Sequence, residues 1–299
     1  MNTELIKKYE AFSRDIRGLS DKTVREYVRT LEYFLPHIDF LAAKKPSDID
    51  EVLVKLETDN NWQRQYTYRM SKIIVTFYKW AVVEEILPFN PYVFSRFRKP
   101  RPKDPKHISQ KEFDFIITDN PILNQQGEFL MNLLWDTGIC REEASFLDRP
   151  DIRLDKMNVA IRQETSKGEY RPRILPFTEK TAVLIERQIR VSEKLAKGEH
   201  VFMNESRLRL MPNDITKLVT KIGKMKGIEI SPHALRHSLA IRMLEGGADI
   251  GFVSKFLGHT NINQTIRYLN LLEGSTRALY DRALGRQPAE SPVAVGRLA

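Results

Sequence analysis

A basic, proline-rich segment at residues 95–107 constrains the fold more than any other part of the sequence. It is SRFRKPRPKDPKH, with six Lys or Arg residues, one Asp and three prolines. Because proline lacks a backbone N–H and disfavours helix, the segment is predicted to be extended and exposed. We interpret it as the connection between two domains. The predicted divisions are a helical domain at 1–98, a linker at 99–107, a second domain at 108–287 and a disordered tail at 288–299.

The first domain is predicted to be all-helical. Ser20 has the character of an N-cap, and apolar residues follow it at helical spacing as far as Leu35. A second helix is predicted over about 65–84, where another apolar stripe ends before Pro88 and Pro91. The aromatic and methionine residues on both stripes are interpreted as core.

The second domain is predicted to be helical with one small β element. Ser109 and Glu112 have the spacing of a capping box, which marks the first helix of this domain. Residues 157–177 alternate in polarity around a turn at Lys167, so a β-hairpin is predicted there. Ser231, followed by a proline, marks the start of a later helix. The predicted fold class is therefore mainly α, with a small β-hairpin or sheet in the second domain.

The charge balance favours an acidic polymer as a partner. The 299 residues include 48 Lys and Arg against 39 Asp and Glu, which gives a formal net charge of +9. Four cations of the basic segment at 95–107 are candidates for contact with a phosphate backbone, and a solvated tether explains the segment equally well. These cations are Arg98, Lys99, Arg101 and Lys103.

The number of cysteines and the hydropathy of the sequence indicate the cellular compartment of the protein. Cys140 is the only cysteine, which excludes an internal disulfide framework and leaves too few thiolates for a structural zinc site. The N-terminus has no apolar signal core, and no run of about 18 uncharged apolar residues occurs in the sequence. A cytoplasmic protein with no membrane partner is therefore expected.

The residues best suited to chemistry lie between 231 and 270. His233 and Arg236 are three apart in a predicted helix, so an imidazole and a guanidinium can converge on one anionic group. A Gly-Gly pair ends that helix, the next helix closes at Leu-Gly-His259, and Tyr268 follows nine residues later. Each residue alone is explained by an ordinary core or surface role. Their joint order and spacing are not explained in that way.

These residues resemble the signature of the tyrosine recombinase or phage-integrase family, including its Xer-like site-specific recombinases. The matching sequences are His233-Ala-Leu-Arg236-His237, Leu257-Gly258-His259 and Tyr268, and Lys167 before RPRILPF matches the family's β-hairpin lysine. The resemblance covers the whole chain, because such enzymes clamp duplex DNA with a helical core-binding domain, a linker and a catalytic domain. It implies DNA integration, excision or resolution through a 3′-phosphotyrosyl intermediate, by a homo-oligomer that is expected to be a tetramer on two DNA sites.

The chemistry requires such groups for a physical reason. The negative charge of a phosphodiester repels nucleophiles, so its oxygens must be neutralised while one oxygen attacks in line and another leaves. The resemblance assigns the phosphate to Arg236 and His259, and Tyr268 is the expected nucleophile. Lys167 is expected to protonate the leaving 5′-oxygen, and His233 to accept the proton of Tyr268.

No metal or other cofactor is expected. A phosphotyrosine conserves bond energy, so strand exchange needs no ATP. His233 and His237 are four apart, as in a zinc-peptidase helix, but Ala234 stands where such a helix carries its catalytic glutamate, and no third ligand is evident. His237 is therefore expected to serve packing or to support the site.

The first arginine of the family pattern is displaced in this chain. It ordinarily follows Thr-Gly-x, with a glutamate three residues later, and here Cys140 stands in its place while Glu143 falls at the expected position. Arg141 comes one position late, and neighbouring helix positions point about 100° apart. We favour Arg141 as the phosphate ligand, because a long side chain at a helix start can reach the phosphate. The alternatives are a site that tolerates cysteine, a weakened site, or an arginine supplied from elsewhere.

Two other functions fit parts of the sequence. A type IB topoisomerase-like nicking-closing enzyme shares the chemistry but would relax supercoils as a monomer. A DNA-binding relative with a weakened catalytic site is supported only by Cys140. The short chain and the integrase-like spacing of the motifs favour the recombinase.

Overall fold

The structure, a computed structural model, describes residues 2–100, 104–162 and 172–271. The chain divides into two units, residues 1–103 and 104–299. Several features named from the sequence lie outside the described residues: Arg101, Lys103, Lys167 and the tail at 288–299.

The described part of the first unit is built from helices. The α-helices are Asn2–Ala11 (α1), Asp21–Phe34 (α2), Pro46–Asp59 (α3) and Arg64–Val83 (α4). A π-helix at Phe12–Ile16 follows α1, and a 3-10 turn at Leu35–His37 follows α2. Ser20 caps α2 by accepting a hydrogen bond from the backbone N–H of Thr23. The apolar faces of these helices meet in a core that includes Tyr9, Phe34 and Phe77.

The second unit is also mainly helical in its described part. Its α-helices are Gln110–Ile117 (α5), Gln125–Thr137 (α6), Arg141–Ser145 (α7), Glu179–Leu195 (α8), Pro212–Met225 (α9), Pro232–Glu245 (α10), Ile250–Leu257 (α11) and Asn263–Ile266 (α12). Short 3-10 turns lie at Arg149–Asp151, Leu154–Lys156 and Leu269–Leu271. Ser109 and Glu112 form the predicted capping box of α5.

A small antiparallel sheet completes the second unit. Its strands are Ile152–Arg153 (β1), Asn158–Ile161 (β2) and Arg173–Pro176 (β3), in the order β1-β2-β3. Val159 lies opposite Leu175, and both side chains are fully buried. The predicted hairpin corresponds to β2 and β3, while β1 was not predicted. The mainly α fold class with a small β element is confirmed.

Helix α10 places the candidate residues near the ends of other helices. Its N-cap is Ser231, whose hydroxyl accepts the backbone N–H of Ala234 at 3.1 Å. It packs against α6, α9 and α11. A second apolar cluster, which includes Leu239, Leu244 and Val253, lies where α10 meets α11. The buried polar residues of α10, Arg236 and Ser238, are therefore held by packing on several sides.

Candidate active site

Arg236 lies at the centre of the candidate site. It is 2% exposed, and its Nη1 donates to the backbone carbonyl of Gly138 at 2.8 Å. Its Nη2 donates to the carbonyl of Leu257. These two carbonyls lie at the C-terminal ends of α6 and α11, where the partial negative charge of a helix favours a cation. The guanidinium is thus fixed before any substrate arrives.

Tyr268 follows α12 and is almost fully buried. Its side chain is part of the apolar cluster between α10 and α11 and is 2% exposed. The hydroxyl oxygen lies 2.7 Å from Nδ1 of His237, and the two rings have centroids 5.4 Å apart. The structure therefore gives His237 a polar contact with Tyr268. The sequence predicts packing or support for His237 and proton acceptance by His233.

Two further histidines complete this group. His233 is exposed, and its ring lies 6.3 Å from that of His237, centroid to centroid. Nδ1 of His259 lies 2.7 Å from the hydroxyl oxygen of Thr265. Burial, the charges of Arg236 and Arg173 and the neighbouring His237 lower the pKa of His259 to about 3. His259 is therefore neutral at pH 7, and its ring still has one N–H to donate.

A buried ion pair stabilises the elements around the site. No sequence pattern predicted it. Arg173 on β3 donates to the two carboxylate oxygens of Glu143 at 2.7 and 3.0 Å, and its Nε donates to the carbonyl of Phe256 at 2.8 Å. Burial alone would raise the pKa of Glu143, but the hydrogen bonds and charge of Arg173 outweigh it and lower that pKa. The ion pair ties α7, β3 and the end of α11 together.

Cys140 serves as the N-cap of α7. Its Sγ accepts the backbone N–H of Glu143 at 3.4 Å, while its own N–H donates to the Glu143 carboxylate at 2.9 Å. The residue is 3% exposed. Burial and the charge of Glu143 raise the pKa of the thiol to about 12, despite the opposing charge of Arg236. Cys140 is thus a capping residue whose thiol stays protonated at pH 7.

Arg141 is half-buried at the first position of α7. Its Nε donates to the carboxylate of Glu142 at 2.9 Å, and its Nη1 donates to the hydroxyl of Thr216 on α9 at 3.2 Å. Burial would raise the pKa of Glu142, but Arg141 and the nearby charge of His233 help to lower it. Glu142 is therefore an anion that neighbours Arg141 and His233.

The structure describes only some of the remaining candidate residues. Arg98 and Lys99 are exposed and lie in irregular backbone at the end of the first unit. Lys167, Arg101 and Lys103 lie outside the described residues. In residues 2–100, 104–162 and 172–271, no three His, Cys, Asp or Glu side chains form a group that could hold a metal ion. No helix within those same ranges is long and apolar enough to cross a membrane.

Comparison with known proteins gives the class of this chain. Residues 110–274, more than half of the sequence, match the model of the phage integrase family. The tyrosine recombinase XerC of Myxococcus xanthus is 29% identical, over 93% of this chain and 97% of that protein. The tyrosine recombinase XerA of Pyrococcus horikoshii is 26% identical, over 95% of this chain and 94% of that protein.

The fold is also similar to that of solved integrases. A lambda integrase dimer bound to a COC′ core site superposes with a TM-score of 0.72 at 16% identity, covering 89% of this chain and 94% of that one. The mainly helical fold and the matched catalytic unit define a tyrosine recombinase. The chain belongs to the phage integrase family, and its activity is site-specific recombination of the tyrosine type. The resemblance found in the sequence is confirmed.

Proposed function

We propose that this chain cleaves and rejoins DNA strands by transferring the 3′-phosphate at the break to the hydroxyl of Tyr268. The observation that carries the proposal is the 2.7 Å contact between that hydroxyl and His237, on the same helix as the buried Arg236. A phenol attacks well once its proton has a place to go, and a phosphotyrosine can be reversed because the phenolate is also a fair leaving group. Strand exchange then proceeds without hydrolysis.

The scissile phosphate is proposed to bind among donors on α10 and at the end of α11. Arg236 supplies a fixed positive charge from α10, and His259 supplies an N–H from the end of α11. His233 is exposed one turn before His237 and can bind the same anion. Donors held in place before substrate binding stabilise the charge of the transition state most effectively.

Arg141 is proposed as the second arginine of the site. Its guanidinium is bound to Glu142 and Thr216, so a phosphate that binds it must displace the Glu142 carboxylate. Position 140 is 3% exposed and its side chain caps α7, which favours Arg141 over a direct role for Cys140. Lys167 is proposed, from the family resemblance, to protonate the leaving 5′-oxygen.

Duplex DNA containing a specific recombination site is the proposed partner. The net charge of +9 favours it, and the lambda integrase and Tn1549 integrase structures that share this fold contain DNA. Arg98, Lys99, Arg101 and Lys103 are proposed to contact its phosphates. A tetramer on two DNA sites and a cytoplasmic location are proposed on the strength of the family resemblance.

Covalent trapping tests the proposal. Incubation of the full chain with nicked recombination-site DNA is expected to give a protein–DNA adduct that survives denaturation, also in the presence of EDTA. Tyr268→Phe should abolish the adduct and keep DNA affinity, while Tyr33→Phe, a change at an exposed tyrosine of the first unit, should leave adduct formation unchanged. A persistent adduct in Tyr268→Phe would exclude Tyr268 as the nucleophile.

A further inference from the structure

His259 is held at both its backbone and its ring. Helix α11 ends at Gly258, which has a φ of 76°, and the backbone N–H of His259 then donates to the carbonyl of Ser254 at 2.9 Å. Nδ1 of the ring lies 2.7 Å from the hydroxyl oxygen of Thr265. The orientation of the imidazole therefore depends on a residue six positions later in the chain.

The burial of Thr265 determines the direction of that hydrogen bond. Its side chain is 0% exposed, and among the residues that the structure describes its hydroxyl has no hydrogen-bond partner other than His259. A hydroxyl has one proton to donate, and a buried donor without an acceptor is unfavourable. The hydroxyl therefore donates to Nδ1, which must be the unprotonated nitrogen of the ring. The proton of the neutral imidazole is consequently on Nε2.

We propose that Thr265 is a positioning residue that holds His259 as the tautomer with its proton on Nε2, the nitrogen that donates to the scissile phosphate. The inference rests on the proposed role of His259 as a phosphate ligand. A phosphodiester oxygen accepts hydrogen bonds and carries negative charge, so the nitrogen lone pair of the opposite tautomer would repel it. Thr265 thereby controls whether His259 stabilises the bound phosphate.

The surroundings of His259 make the choice of tautomer important. The residue is half-buried and lines an open cleft of about 680 Å³ together with Arg173 and Lys255. Burial and the charges of Arg236 and Arg173 lower the pKa of His259 to about 3, so at pH 7 the ring offers a single N–H. An imidazolium could donate from either nitrogen, whereas a neutral ring donates only from the nitrogen that carries the proton.

Thr265 also connects His259 to the nucleophile. Its carbonyl accepts the backbone N–H of Tyr268 at 2.9 Å, and its own N–H donates to the carbonyl of Ile262 at 2.8 Å. The side chain of Thr265 thus orients one residue of the site while its backbone holds another. Substitutions that change only the hydroxyl separate these two roles.

The tautomer can be measured in the wild-type protein without DNA. Two-dimensional ¹H–¹⁵N spectra of the histidine rings, assigned with the help of His259→Gln, are expected to show an unprotonated Nδ1 and a protonated Nε2 at pH 7. Thr265→Ser keeps the hydroxyl and should preserve this pattern, while Thr265→Val keeps the shape without the hydroxyl and should allow both tautomers. A proton on Nδ1 in the wild-type protein, or an unchanged pattern in Thr265→Val, would overturn the proposal.

A matched control is available beside His259. Thr260 is exposed and adjacent to His259 in the chain, so Thr260→Val makes the same chemical change without removing a hydrogen bond to the ring. It should leave the tautomer of His259 unchanged. A shift of the tautomer in Thr260→Val as large as that in Thr265→Val would count against a specific role of Thr265.

Cleavage kinetics show whether the tautomer matters for the reaction. Thr265→Val is expected to form the covalent adduct about 10 to 10² times more slowly, the usual effect of removing the group that orients a metal-bound histidine. Thr265→Ser should retain most of the wild-type rate, and the affinity for DNA should change much less than the rate. A Thr265→Ser enzyme as slow as Thr265→Val would contradict a role of the hydroxyl.

A double variant separates orientation of His259 from a general structural effect. In a His259→Leu background, Thr265→Val should have no further effect on the rate, because the ring that it orients is absent. Equal losses in both backgrounds would mean that Thr265 acts only through the backbone of Tyr268 or through packing, and would overturn the proposal. A His259→Leu enzyme that cleaves at the wild-type rate would also overturn it. Failure of the proposed function would appear differently, as a covalent adduct that persists in Tyr268→Phe.

Discussion

Glu143→Leu tests the buried ion pair that joins α7 to β3. The side chain of Glu143 is 0% exposed and that of Arg173 is 7% exposed, and the substitution leaves the guanidinium buried without its carboxylate. Removing one partner of a buried pair typically costs about 3–5 kcal/mol. In a domain of this size each kcal/mol shifts the Tm by about 2–4 °C, so the expected fall in Tm is about 6–20 °C.

Tryptophan fluorescence can follow the second unit by itself. Trp135 lies in the second unit, whereas Trp62 and Trp80 lie in the first. Replacing the latter two by Phe leaves a signal that reports only on the second unit. Thermal unfolding of Glu143→Leu is then compared with that of Arg173→Met and of the double variant, in the same background.

The coupling free energy between Glu143 and Arg173 shows whether loss of the ion pair causes the fall in Tm. The double variant Glu143→Leu/Arg173→Met replaces both charges by apolar groups, so it should lose at least about 1 kcal/mol less than the sum of the single variants. Burial opposes ionisation, but Arg173 lowers the pKa of Glu143 below its ordinary value. The contribution of the ion pair is therefore present above the unfolded pKa of the carboxyl and is lost as pH falls through the lower, folded pKa. Strict additivity, or a Tm for Glu143→Leu within about 2 °C of wild type, would refute this reasoning.

Three further predictions concern the displaced arginine and the linker. Arg141→Ala is expected to slow cleavage about 10² to 10³-fold, as losing one preorganised donor does, and Cys140→Arg should gain little; a fast Arg141→Ala enzyme would contradict the assignment. Because the thiol pKa of Cys140 is about 12 instead of 9.0, its thiolate fraction at pH 8 falls roughly 10³-fold, and alkylation followed by mass spectrometry should be that much slower in the native than in the unfolded protein. Neutralising Arg98 and Lys99 should reduce the slope of log affinity against log salt concentration by about 2 on every DNA sequence, and an unchanged slope would identify the segment as a tether.

Local sequence signals predicted the elements whose ends are determined locally. The helix caps at Ser20, Ser109 and Ser231 are formed by side chains that bond to backbone groups three residues away. The hairpin of β2 and β3 followed from its alternation of polar and apolar residues. Strand β1 has two residues, Ile152–Arg153, which are too few to show such a period.

Contacts between distant residues could not be predicted in the same way. The hydrogen bond between His237 and Tyr268 joins residues 31 apart, and the ion pair of Arg173 and Glu143 joins residues 30 apart. Both depend on how helices pack, and neither residue type nor spacing specifies that packing. The motif predicted which residues form the site, while the partner of each hydroxyl and carboxylate required the three-dimensional structure. The role of Lys167 and the domain limits remain predictions.

The glycines of the two motifs have a structural reason that links them to Arg236. Gly138 ends α6 with a φ of 59° and Gly258 ends α11 with a φ of 76°, a left-handed conformation that other residues adopt at a cost. Each position also lacks room, because a Cβ on Gly138 would lie 2.9 Å from the side chain of Leu239 and one on Gly258 would lie 2.9 Å from the guanidinium of Arg173. Ending α6 and α11 at these points leaves the carbonyls of Gly138 and of the last residue of α11 free to accept from Arg236. The position of the central guanidinium thus depends on two residues that have no side chain.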